Sequence, residues 1–554
     1  MKNRIITSVI STVAVVLMST GCKKYVDKAL PDQFDDNTFW ISEDNVRSYN
    51  WGFYELFPGY GNLTTYGDFY FSSFTDDQAG SAFQNFLLNV PATATSWDFT
   101  QIRKANIMLE RIDRVPMSDE AKNHWKGVAR FFRALTYFNR VKDYGDLPWL
   151  GNSMDISDEG MIYKPRDSRV LVMDSVLADI NFAVDNLRTK DQPNTITRDV
   201  ALALKSRIGL YEGTWRRYHT DPALPDAAKF LAAAKDAASK LMTGTYKLSA
   251  DYRTAYNSID LSGNQEIILY KKYLPGFLTH SVIGFNTNST QMAGLTKSAV
   301  ESYLCSDGLP ITVSPLYKGD SSIQRTRSNR DRRLLQTIDT FLCYNGELVG
   351  GMSTSTGYRP AKFLQPLVAN TLAPYNDTDA PLFWLAEVLL NYAEAAAELQ
   401  KEGQYAFSQT DLDRSINLLR VRAGLPPLQY LSETQVAANG VPYTDSKKDP
   451  DVPSFIWEIR RERRAELMMD GFRYHDLMRW SKGDYMDSNK NPDIFKGARV
   501  KGNADVLRDE KGYITPYKAS TVRKFETPKN YLLPIPSGQI ALYPNGALKQ
   551  NPRW

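Results

Sequence analysis

Between Ser118 and Gly145 one apolar pattern runs unbroken: Trp125, Val128, Phe131, Phe132, Leu135, Phe138 and Val141 recur at steps of three and four. That spacing places all seven on one stripe of a long helix, which Ser118 can cap and Gly145 can stop. A stripe so wide and aromatic has to be covered by other helices, and the chain supplies them in succession. Residues 97–113 carry Ile102, Ala105, Met108, Leu109 and Ile112 on one face. The stretches 167–187, 197–218 and 226–242 follow, the last built almost wholly of strong helix formers. Small residues at the contacts and short connections predict stacked helix pairs rather than one bundle. The fold class expected is mainly α, with tetratricopeptide-like helical repeats that diverge from the strict repeat consensus.

Further helices are expected at 382–400, with Leu385, Val388, Leu389, Tyr392 and Ala396 on one face, at 410–427 ending on Gly424 and Pro426, and from Ser454 to about Met469. A shorter one is expected from Asp44. Two stretches break the pattern. Residues 58–97 are rich in Gly, Thr, Ser and aromatic residues, and 244–382 mix Gly and Pro with short β-like runs such as EIILYKKYL. Both read as long irregular insertions, and such segments on a helical scaffold are commonly where function sits. The proline-punctuated tail, 531–554, reads as extended.

The amino terminus places the chain. Lys2 and Arg4 precede an apolar run from Ile5 to Met18, and Ser19, Thr20 and Gly21 lead into Cys22. The run is short for a membrane span and reads as an export signal over 1–21. A small-residue approach to a cysteine resembles a bacterial lipoprotein box with Cys22 lipidated, although Ser19 stands where Leu is commonest. An ordinary signal peptide with a chance cysteine is the alternative. Residues 22–40 then form a polar tether, and 41–554 the folded body.

The formal charge is +4, of which Lys2 and Arg4 contribute two, so nothing marks a nucleic-acid partner. Apolar content of 42% and charged content of 23% are ordinary for a globular body. Cys305 and Cys343 could pair but read better as two isolated buried thiols, and the four histidines lack metal-ligand spacing. No phosphate-binding loop, nucleophile elbow or zinc-protease helix occurs, and neither catalytic residues, metal nor cofactor is expected. A carboxylate pair for glycoside hydrolysis could lie anywhere in the chain; nothing isolates one. The strongest charged stretch is 458–480, where Glu462, Arg463 and Glu466 alternate in sign and Arg473, Asp476 and Arg479 continue. It could clamp an anion, but alternating charge leaves little net positive field, and it reads as an ion-pair lattice seating the helix.

Six segments, RFFRALTYFNRVKDYGDLPWL, SNRDRRLLQTI, LAEVLLNYAEAAAEL, LDRSINLLRVRAGLPP, IRRERRAELMMDGFRYHDLMRW and YLLPIPSGQIALYPNGALKQNPRW, resemble in order the signatures of the SusD/RagB family. CKKYVDKALP resembles the family's start after its lipidated cysteine. The resemblance implies a non-catalytic, lipid-anchored protein of the Bacteroidetes outer membrane, exposed at the cell surface. Its partners would be an oligosaccharide, or in some members a peptide, and a SusC-like TonB-dependent transporter on which it acts as a lid. The helical repeats would be scaffold and transporter-facing surface, and the insertions would carry the ligand. Pyranose rings offer apolar C–H faces to aromatic rings, with hydroxyls that need polar partners. The ligand candidates are therefore Tyr66, Phe69, Tyr70, Asp76, Asp77 and Trp97, with Tyr273, Phe277 and Phe285 as a second set. For Trp97 packing at a helix start competes with a ligand role, and for Tyr66 and Tyr70 plain loop surface does. A surface glycosidase and an adaptor that touches no ligand are the other readings.

Overall fold

A computed structural model describes residues 36–61, 74–155, 157–289, 292–368, 371–501 and 505–554. The expected helices form. They are α1 (Glu43–Trp51), α2 (Thr100–Arg111), α3 (Asp119–Tyr144), α4 (Arg169–Asn186), α5 (Arg198–Tyr218), α6 (Ala227–Met242), α7 (Leu385–Lys401) and α8 (Ser454–Glu466), and a short helix the sequence reading did not expect, α9 (Arg473–Arg479), follows them. The ends of α3 follow the local chemistry: the Ser118 hydroxyl accepts from the Ala121 amide at 3.2 Å, and Gly145 takes φ 74°, where a Cβ would be strained.

Helices stack in sequence order, α2 on α3, α3 on α4, α4 on α5, α5 on α6, and then α7 closes on α5 and α6 before α8 packs on α7. The α5–α6 contact is backbone-close. A Cβ at Gly209 would stand 2.6 Å from the Phe230 carbonyl oxygen, and one at Gly213 would stand 2.7 Å from Leu231 Cγ. Glycine is what lets these two helices touch. The largest apolar core lies along this stack, with Phe131, Phe132, Val176, Ile180, Leu204 and Ile208 buried in it. This mainly helical, tetratricopeptide-like architecture is the fold expected.

The strands are short and antiparallel: β1 (Gln78–Ala79), β2 (Ile267–Lys271), β3 (Gly294–Leu295), β4 (Ile338–Cys343), β5 (Gly357–Pro360), β6 (Ala380–Trp384), β7 (Leu428–Tyr430), β8 (Val436–Ala438) and β9 (Val441–Tyr443). β1 pairs with β3, β2 with β6, and β4 with β5, while β7, β8 and β9 form a three-stranded meander. A second core, built on Tyr252, Tyr256, Val300, Tyr303, Leu389 and Ile456, joins the middle of the chain to α7 and α8.

Three readings of the sequence need correction. Residues 244–382 hold more regular structure than expected, including the helices Val282–Thr287, Lys297–Ser302, Ile323–Arg327 and Arg332–Thr337. The helix expected over 410–427 breaks into Gln409–Asp413 and Ile416–Arg422. At that break the Ser415 hydroxyl donates to the Asp411 carbonyl and competes with the helical ladder. The tail is not wholly extended, since Ser537–Leu542 is helical. Cys305 and Cys343 are free, buried thiols. Among the described residues no helix is long and apolar enough to cross a membrane. Cys22 and the export signal lie outside the described residues.

Candidate functional site

The nominated carboxylates lie at the root of the first insertion. Asp76 and Asp77 are both buried. Arg473, from α9, grips Asp76 with two bonds of 2.8 Å, and Arg464, from α8, reaches Asp77 at 2.8 Å and Asp76 at 3.0 Å. Burial opposes ionisation of Asp76, but the two guanidiniums outweigh it and hold its carboxyl below the usual range. For Asp77 burial wins, helped by the neighbouring Asp76 charge, and its carboxyl is pushed up. Buried and paired in this way, they fasten the insertion to the scaffold, a role that the reading of these two acids as glycan contacts did not anticipate. β1 follows directly and pairs with β3, tying the two insertions together.

Trp97 is half-buried and meets Tyr144 edge-on at 4.9 Å, beside a 2.6 Å hydrogen bond between Ser96 and Tyr144. It packs the start of α2 against α3. Tyr273 is only 3% exposed and its hydroxyl donates to the Tyr60 carbonyl at 2.7 Å. It is a core residue and not the ligand contact expected. Phe285 is half-buried against the second core. Tyr66, Phe69 and Tyr70 lie outside the described residues.

Phe277 is different. It stands 87% exposed on a tight reversal held by the Leu274–Leu278 pairing. The following strand-like residue His280 pairs with Asn376, and one step before Asn376 stands Tyr375, 58% exposed. On the same two segments Leu274, Leu278 and Leu372 are also exposed, as is Leu367 a few residues upstream. His280 itself is buried, its Nδ1 accepting from the Val282 amide and its Nε2 donating to the Thr378 carbonyl, and burial pushes its imidazole down to about 3, so it serves as a neutral strut. The Ser281 amide donates to the Gly61 carbonyl at 2.9 Å, which places the stem of the first insertion beside this face. Phe277 thus stands as an exposed candidate, and Tyr375, on the segment that pairs with its own, is a second exposed ring that the sequence reading missed. Its signal was faint: one Tyr after Pro374 in a stretch without periodicity.

The 458–480 stretch is the ion-pair lattice expected, although its partners lie across the fold rather than along α8. Arg463 pairs with Asp476 at 2.8 Å, Glu462 with Arg333 at 2.6 Å, and Glu466 with Arg333 at 3.0 Å and with Arg422. Arg479 grips Glu394 of α7 through bonds of 2.6 and 2.7 Å. Burial of Glu394 opposes its charge, but Arg479, with Arg463 and Arg460 nearby, outweighs it and holds the carboxyl at about 2. Every one of these guanidiniums is spent on a carboxylate, so none is left to clamp an anion. Among the described residues no group of three His, Cys, Asp or Glu side chains could hold a metal ion.

Residues 281–554 match the model of the SusD family. The chain is 22% identical over 510 residues to the SusD-like protein P38 of Formosa agariphila, covering 85% of this chain and 92% of that one. A SusD-like protein of Bacteroides ovatus is 21% identical over 424 residues, 66% of this chain and 75% of the relative. Among solved structures, a SusD-like carbohydrate binding protein of Bacteroides fragilis superposes with a TM-score of 0.69 at 20% identity, covering 91% of this chain and 98% of that one. A laminarin binding SusD-like protein does so with a TM-score of 0.55 at 18% identity, over 93% and 100%. These structural likenesses concern the fold.

Proposed function

We propose, from the premise that this chain is a SusD-like protein, that it captures oligosaccharides at the bacterial surface and passes them to a SusC-like TonB-dependent transporter. The observation that carries the reading is the outward exposure of Phe277 and Tyr375 on the middle insertion, of which the residues from 281 onward fall within the family match. Aromatic faces suit pyranose C–H surfaces, and the half-buried Asp377 and the exposed Lys272, on the same two segments, offer hydroxyl partners. Tyr66, Phe69 and Tyr70, outside the described residues, are kept as further candidate contacts from the sequence. The surrounding leucines are too apolar for a sugar alone, and the transporter would cover them. Binding of this kind needs no covalent chemistry. Cys22 would carry the acyl chains that hold the protein to the outer membrane.

Titration calorimetry of the mature chain against a polysaccharide panel tests the reading. Glycan binding that weakens in Phe277→Ala and Tyr375→Ala is expected. Tight peptide binding with no glycan bound would redirect it to oligopeptide uptake, and steady release of new reducing ends would make it a glycosidase. Co-purification of a large barrel, lost on Leu367→Asp, tests the transporter. Cys22→Ser is expected to release the protein from the membrane in a strain lacking that transporter.

A further inference from the structure

A cavity of about 490 Å³ opens against the helical stack, with neither Phe277 nor Tyr375 in its lining. Its volume falls within the roughly 300–1,000 Å³ of small-molecule sites. Glu55, exposed, and Pro58, Arg140 and Lys142, half-buried, stand at its mouth. Phe57, Phe138 and Trp384, all buried, and the half-buried Phe472 give it aromatic walls.

Most of its charges are already matched. Arg207 pairs with Glu387 at 2.7 Å, Arg463 with Asp476 at 2.8 Å, Arg479 with Glu394 at 2.6 Å, and Asp470 with Lys362 at 2.5 Å. The remaining lining charges, Arg140 and Lys142 against Glu55 and Asp143, balance in sign. The cavity therefore exerts no net pull on an ion. What it does hold is hydrogen-bonding capacity without a partner. The Asn139 amide and the Asp143 carboxyl, one helical turn apart on α3, make no side-chain hydrogen bond among the described residues, nor does the His475 ring of α9. The Tyr211 hydroxyl is also buried and unpartnered, with its ring 6.1 Å from that of His475. Burial pushes the Asp143 carboxyl up to about 6 and holds His475 neutral well below its usual range. Such groups left bare in a protein interior cost stability, and a ligand rich in hydroxyls would satisfy several at once.

We propose that this cavity binds a small neutral polyhydroxylated molecule of monosaccharide size, held by Asn139, Asp143 and His475 between the Phe138 and Phe472 rings. Such a site differs from the outer face: it is a half-open cavity walled mainly by α3, α5 and α9, with Pro58, Pro381 and Leu382 from the ends of the insertions at its edge, and its volume suits one ring rather than a chain. Loss of one charged or polar bond of this kind reads as about a tenfold drop in affinity.

The experiment is thermal unfolding of the mature full chain with D-glucose, D-galactose, D-xylose or myo-inositol, and with acetate and choline as charged probes. At least one neutral probe is expected to raise Tm in a concentration-dependent way. Asn139→Ala and Asp143→Asn, both at half-buried positions that tolerate the change, are expected to weaken that response about tenfold each while leaving oligosaccharide titrations unchanged. A cavity that holds only water would give no shift with any probe, and that result overturns the proposal. So would a shift that both variants leave intact, or a stronger response to either charged probe than to every neutral one.

Discussion

The helical stack and the middle insertion handle their costly side chains in opposite ways. Along α7, α8 and α9 the arginines and glutamates point inward, and each buried charge meets a counter-charge, as Arg479 meets Glu394 and Arg463 meets Asp476. In the middle insertion a set of apolar side chains, Leu274, Phe277, Leu278, Leu367, Leu372 and Tyr375, is instead left exposed, with Phe277 and Leu367 more than 80% exposed. A buried ion pair does little for net stability but fixes geometry, because a misplaced charge is severely penalised. An exposed ring does nothing for folding and is available to bind. Rigidity and recognition are thus assigned to different segments of one chain.

Breaking the lattice should give the largest effect on folding. Arg479→Ala leaves Glu394 buried without its bidentate partner and is expected to cost about 3–5 kcal/mol. Urea denaturation should show it as a lower midpoint with an unchanged slope. A substitution there that costs less than about 1 kcal/mol would mean the lattice tolerates a bare charge.

The same lattice should titrate. Glu394 has its carboxyl at about 2 in the fold against 4.5 unperturbed, so its depressed value adds stability that is fully present above 4.5. That contribution, on the order of 3 kcal/mol, is lost as pH falls from about 4.5 toward 2. Tm of the native chain should drop more steeply across this window than Tm of Glu394→Gln. Parallel curves for the two would contradict the pairing.

Overpacking the stack tests its close contact rather than its charges. Gly213→Leu drives a side chain into Leu231 and is expected to destabilise by about 1–3 kcal/mol, read in the same denaturation assay. The equivalent change at Gly276, whose Cβ would meet nothing within 4 Å, strains only a left-handed turn at φ 81° and should cost less.

How much of this was legible beforehand divides along the same line. The α3 stripe, its Ser118 cap and its Gly145 stop could be read directly, because helical period and capping act over a few residues. The lattice's existence was legible from alternating charge, but its partners were not. Arg333 and Glu394 lie 133 and 85 residues from Glu466 and Arg479, and no local rule links them. Asp76 and Asp77 looked like ligand contacts for the same reason: adjacent acids in a polar segment carry no mark of the two arginines nearly 400 residues onward. Tyr273 and Phe277 stand four residues apart in one irregular run, and only the fold shows that one is core and the other surface.

The smallest expected effect on folding is the one that sharpens the comparison most. Phe277→Ala and Tyr375→Ala remove exposed rings, so each should change stability by no more than about 0.5 kcal/mol. If the outer face binds glycan as proposed, each should also lower oligosaccharide affinity about tenfold, the size of one lost aromatic contact. The pair of measurements is decisive because the two quantities are uncoupled at an exposed position. A stability loss above about 2 kcal/mol would show that Phe277 supports the fold and that the face is architecture. Unchanged stability with unchanged affinity would move recognition elsewhere on the insertions, while leaving the inward lattice of α7 to α9 as the scaffold that carries it.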